Sequence, residues 1–202
     1  MMKHALLTLC LACACSNATG TPAPQATVTP MTHPDLDLAW SLAKSADGKL
    51  LHITYSLKNK SEQKIYVADQ LLAYHAGKIQ RVPTRMIVSS DRQPGLVRFS
   101  RAVVRTGTTQ FDHPPGATAL EPGATHQGSA ELELPLRGWH NYAPPPSLPE
   151  KPTGAVLEIA YLTGPIEWGA VQTSDGTRVT IPQLPSYRSA AKIARFDVRP
   201  LP

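Results

Sequence analysis

From residue 35 onward, large apolar side chains tend to recur at every second position. Leu36, Leu38, Trp40 and Leu42 are separated by Asp37, Ala39, Ser41 and Ala43. Leu51, Ile53, Tyr55 and Leu57 alternate with His52, Thr54, Ser56 and Lys58. A period of two sends one set of side chains to each face of a strand. Between the runs lies Ala46-Asp47-Gly48, and an Asp-Gly pair readily adopts the positive φ angles of a tight hairpin turn. The two segments therefore predict a β-hairpin.

The same signals continue to the C-terminus. Short strands are expected at Ile65–Val67, Leu71–Tyr74, Ile79–Val82, Met86–Val88 and Leu96–Val104, with a turn at Gly77-Lys78. Ala130, Leu132 and Leu134 alternate with Glu131 and Glu133, which places the glutamates on a solvent face. Ala155–Thr163 is apolar at nearly every position and predicts a central strand covered on both faces. Ile166–Gln172 and Arg178–Ile181 flank Asp175-Gly176 as a second Asp-Gly hairpin, and Ile193–Val198 closes the series. Helix propensity is confined to Ser186–Ala194. The chain carries 20 prolines, and an interior proline removes a helical hydrogen bond and clashes with the preceding turn. About nine to eleven strands with frequent turns predict an all-β, antiparallel β-sandwich of immunoglobulin-like type, with a small β-barrel as the alternative. The stretch Leu51–Leu72, containing Tyr-Ser-Leu-Lys-Asn-Lys-Ser, resembles the strand–loop–strand of small bacterial β-sandwich modules.

The N-terminal region breaks this pattern. Lys3 precedes Ala5–Ala14, a run of ten residues without charge, too short for a helix to cross a bilayer. All three cysteines, Cys10, Cys13 and Cys15, lie here, so the rest of the chain must be stabilised by its core rather than by disulfides. Leu11-Ala12-Cys13-Ala14-Cys15 followed by Ser16-Asn17 resembles a bacterial lipoprotein signal, with Ala12 where that family prefers leucine. The resemblance implies cleavage before Cys15, lipidation of that cysteine, and a cell-envelope location. Without it, the same residues read as an ordinary signal peptide cut after Ala14. Residues 16–34 hold no charge and four prolines and read as a disordered tether. This gives a signal over 1–15, a tether over 16–34 and one domain over 35–202.

Charge and chemistry add less. The net charge of +5 is mild and does not point to nucleic acid. No nucleophile elbow or phosphate-binding glycine loop occurs, so no catalytic residue and no cofactor is assigned. His113 and His126 are the first pair to test for a metal, against a reading as loop histidines. Residues 78–105 carry Lys78, Arg81, Arg85, Arg92, Arg98, Arg101 and Arg105 against one acid, Asp91. They are either a face for anionic headgroups, with Arg81, Arg85 and Arg92 as contacts, or charged strand exteriors. Residues 138–153 form a stiff proline loop opened by Trp139, His140 and Tyr142, and Trp168 follows later. These aromatics either plug the core or bind a partner. The expectation is a non-enzymatic envelope lipoprotein binding another envelope protein. A carbohydrate- or peptidoglycan-binding module is the alternative, and an enzyme with a dispersed site is the third reading.

Overall fold

A computed structural model describes residues 33–101, 113–141 and 143–202. Cys15, the signal and all but the last two tether residues lie outside the described residues, as does Tyr142. The strands are β1 (Leu36–Lys44), β2 (Leu50–Asn59), β3 (Ile65–Gln70), β4 (Leu72–His75), β5 (Lys78–Arg81), β6 (Ile87–Ser90) and β7 (Leu96–Ser100). They continue as β8 (Gly116–Leu120), β9 (Thr125–Glu133), β10 (Gly154–Thr163), β11 (Trp168–Gln172) and β12 (Arg178–Pro182). A single helix, α1 (Leu184–Ala190), precedes β13 (Ala191–Arg195) and β14 (Arg199–Pro200).

The fold is an all-β sandwich. Strands β1, β2 and β9 make one sheet, and β6-β7-β10-β3-β8, with β13 and β14 also on β10, make the other. The predicted first hairpin forms in unbroken register, from Leu36 opposite Asn59 to Lys44 opposite Leu51. Its period-two side chains meet the large sheet: Leu51, Ile53, Tyr55 and Leu57 share one core with Ala155, Leu157, Ile159 and Tyr161 of β10. Each such fully buried large side chain contributes roughly 1.5–3 kcal/mol. The opposite face of β10 is covered too, as Ala160 and Leu162 pack with Ala68 and with Tyr187 of α1.

Strand β10 is paired along both edges. Ala155 faces Val97 and Arg199, Glu158 faces Ser100 and Arg195, and Ala160 faces Ala68 and Ile193. The pairing of β7 with β10 is parallel, so the large sheet is mixed where the sequence predicts antiparallel pairing throughout. Side-chain alternation is identical in the two senses and carries no direction. The barrel alternative does not apply, because the sheets are open stacks rather than a closed ring. The helix ends at Ala190, four residues earlier than expected, because Ala191–Arg195 is drawn into the edge of β10. Tertiary pairing overrides a modest local propensity there.

Two hairpins extend from the sandwich. The second Asp-Gly hairpin forms as predicted, with Trp168 opposite Pro182 and Gln172 opposite Arg178. The β4–β5 hairpin pairs Leu72 with Arg81 and His75 with Lys78. The two hairpins share a small core of Leu72, Val179 and Ile181.

Candidate ligand-binding cleft

The β4–β5 hairpin turns at Ala76 and Gly77, with φ of 48° and 80°. Glycine adopts that conformation freely, whereas alanine does so at a cost. The turn places Tyr74 at the tip of a four-residue strand, where it stays 41% exposed, one of two large hydrophobic side chains so exposed among the described residues. The hairpin is held at its base. The Val82 N–H donates to the Leu71 carbonyl (3.0 Å), and the Ser174 N–H donates to the Ile79 carbonyl (2.8 Å). Arg81 reaches Asp175 at 3.1 Å. The Asp175 carboxyl is held well below the usual carboxylate range by the Thr173 hydroxyl first, then by the Thr177 N–H and Arg81.

The described residues of the proline loop, 138–141 and 143–153, form no helix or strand, as expected, yet they are tied down. Trp139 and Val88 exchange backbone hydrogen bonds of 2.9 and 3.0 Å, which attaches the loop to β6. The buried Asn141 donates its Nδ2 to the Leu72 carbonyl (2.9 Å), which attaches it to β4. The Ser90 hydroxyl donates to the Ser147 carbonyl (2.8 Å). A Cβ on Gly138 would collide with the Pro146 carbonyl. Only glycine lets the loop fold back that closely beside Trp139.

Between the hairpin and the loop lies a cleft of about 720 Å³, within the range of ligand sites. Tyr74, His75 and Gln80 come from the hairpin side, Trp139, His140 and Asn141 from the loop, and Arg85 from the turn that follows β5. The Arg85 guanidinium carbon lies 5.5 Å from the centre of the Trp139 ring, a cation–π arrangement. A second depression of about 560 Å³, with Glu131, Glu133 and Arg137 on its walls, is also lined by Arg85 and Trp139. This pair is the ridge between the two.

The residues singled out in the sequence divide accordingly. Trp139, His140 and Arg85 come together in the cleft. Trp168 does not join them; it packs at a tilt against Tyr66, with ring centres 4.8 Å apart and an interplanar angle of 59°. Arg81 supports the hairpin through Asp175, and Arg92 is exposed between β6 and β7. The remaining described arginines of that stretch are structural. Arg98 reaches the Ser89 hydroxyl (3.1 and 3.2 Å) and Glu158 (3.7 Å). Arg101 is buried and donates to the carbonyls of Asp69, Pro83 and Ser129. His126 lies 2.7 Å from Asp69, almost out of solvent, rather than on an open loop. Among the described residues no group of three or more His, Cys, Asp or Glu side chains is placed to hold a metal ion.

Tyr74, His75 and Gln80 escape the sequence reading, which sees them only as strand and turn residues. The one local signal is an aromatic side chain directly before a tight turn. Compared with known proteins, the chain matches no family model, no curated protein and no solved structure.

Proposed function

We propose that this protein is a non-enzymatic binding module of the bacterial cell envelope, lipid-anchored through Cys15, that takes an envelope glycan in the Tyr74–Trp139 cleft. The observation that carries this reading is the convergence of two aromatic side chains, from segments 65 residues apart, on one concave site. A sugar ring has a flat C–H face that packs on an aromatic ring, and a rim of hydroxyls that both donate and accept hydrogen bonds. The cleft offers matching groups. Tyr74 and Trp139 supply apolar faces, while Gln80, His75 and His140 carry side chains able to donate and to accept. The fixed loop lowers the ordering cost of binding.

The test is a titration of the full chain with soluble glycan strands from the envelope, read by tryptophan fluorescence and calorimetry. Tyr74→Ala is expected to weaken binding by about tenfold, in line with the ~1.4 kcal/mol that an aromatic contact supplies. Trp168→Phe, at the separate contact with Tyr66, is expected to leave the affinity unchanged. Undiminished binding by Tyr74→Ala would move the site elsewhere.

One observation favours a second reading, an envelope protein as partner. Strand β1 is nine residues long and pairs with β2 alone among the described residues. Its outer edge offers a template for an added strand.

A further inference from the structure

We infer that the cleft selects acidic sugars, with the sugar carboxylate received by Arg85; the inference rests on the glycan reading above and specifies its chemistry. Arg85 is exposed, and among the described residues it forms no ion pair and no side-chain hydrogen bond. Two other arginines of the stretch are paired, Arg81 with Asp175 and Arg98 with Glu158, while Arg92 is exposed like Arg85 but lies outside the cleft. Arg85 is held by the Trp139 ring instead. A cation–π contact fixes a guanidinium in position while using none of its five N–H donors. The donors stay available for a planar, bidentate anion, and a carboxylate matches that geometry.

The rest of the cleft agrees in sign. Among the described residues no aspartate or glutamate lines it, and Arg85 is the one lysine or arginine on its wall. The carboxylates of the neighbouring depression, Glu131 and Glu133, lie across the Arg85–Trp139 ridge. A ligand in the cleft meets the Arg85 guanidinium beside the Tyr74 and Trp139 side chains. A sugar bearing a carboxylate satisfies both features at once: ring against Tyr74 and Trp139, charge against Arg85. A neutral sugar uses only the first, and a bare inorganic anion only the second.

Two pairs of probes separate charge from ring shape. The first pair is a tetragalacturonate and its methyl ester, which differ in the carboxylate charge. The second is a tetrasaccharide of alternating N-acetylglucosamine and N-acetylmuramic acid, set against chitotetraose, which lacks the lactyl carboxylates. Each is titrated into the full chain by calorimetry at low and at raised salt. The expected result is at least tenfold tighter binding of an acidic member than of its neutral twin, weakening with salt. Whichever pair shows it identifies the source, a uronic acid or a muramic-type acid. Arg85→Gln is expected to erase the preference, so that each acidic probe binds no more tightly than its neutral twin. Arg85→Lys is expected to restore only part of it, because the bidentate geometry is lost. Equal affinity for acidic and neutral twins overturns the inference and leaves the glycan reading standing. Failure of all four probes to bind overturns both. A preference that survives Arg85→Gln in a folded variant removes Arg85 from the site.

Discussion

Arg85 and Arg101 lie sixteen positions apart in one basic stretch, and nothing local tells them apart. One is exposed over an indole; the other is buried on three backbone carbonyls. A buried guanidinium is tolerated only where its donors find acceptors, and those acceptors come from β3, from the turn after β5 and from β9. Ala76 shows the converse, a residue whose conformation is unfavourable by itself. Its φ of 48° lies in the left-handed region, where Asn is better tolerated than Ala. Ala76→Asn is expected to stabilise the fold by about 1 kcal/mol, a rise in Tm of about 2–4 °C by calorimetry. An unchanged or lower Tm would mean that the turn is not strained. The Gly77 turn itself is visible in the sequence; the strain at its neighbour is not, because it depends on which residue the register places at the corner.

Among the elements, those specified by near neighbours behave as predicted. Both Asp-Gly hairpins form where an alternating run meets a turn residue able to take positive φ. Strand β10, apolar on both faces, is central. The C-terminal segment is decided otherwise. Arg195 of β13 binds Asp91 through two hydrogen bonds of 2.8 and 2.9 Å and Glu158 of β10 at 2.6 Å. The Asp91 side chain is 1% exposed, and the Arg195 bonds hold its carboxyl below the usual carboxylate value. A depressed carboxylate stabilises the fold above its unfolded pKa, near ~3.9, and the contribution is lost as pH falls through the lower folded value. Urea unfolding from pH 7 to pH 3 should therefore show a stability loss below about pH 4. Arg195→Gln is expected to cost about 2 kcal/mol at pH 7, discounted for partial exposure, and to flatten that acid limb. An identical acid limb in the variant would assign the pH dependence to other groups.

At the scale of the molecule, the proposed anchor and the proposed binding cleft belong to different parts of the chain. If Cys15 carries the lipid, the full chain should partition with membranes and incorporate labelled palmitate, whereas Cys15→Ser should appear in the soluble envelope fraction without label. A wild-type protein without label would refute the anchor. Among the described residues no helix is long and apolar enough to cross a membrane. The described fold begins just before β1, where the Tyr161 hydroxyl lies 3.1 Å from Nε2 of His33. The sequence by itself determined the β character, both Asp-Gly hairpins and the buried central strand, because alternation and turn chemistry act over a few residues. Three parts of the cleft, Trp139, His140 and Arg85, were legible as unusual residues, though not as neighbours. Only the tertiary structure decided the parallel pairing of β7 with β10, the separation of Trp168 from Trp139, and the meeting of Tyr74 with the proline loop. Each is a contact between distant segments, fixed by how two sheets and two hairpins share their cores, and a one-dimensional pattern carries no record of which faces will meet.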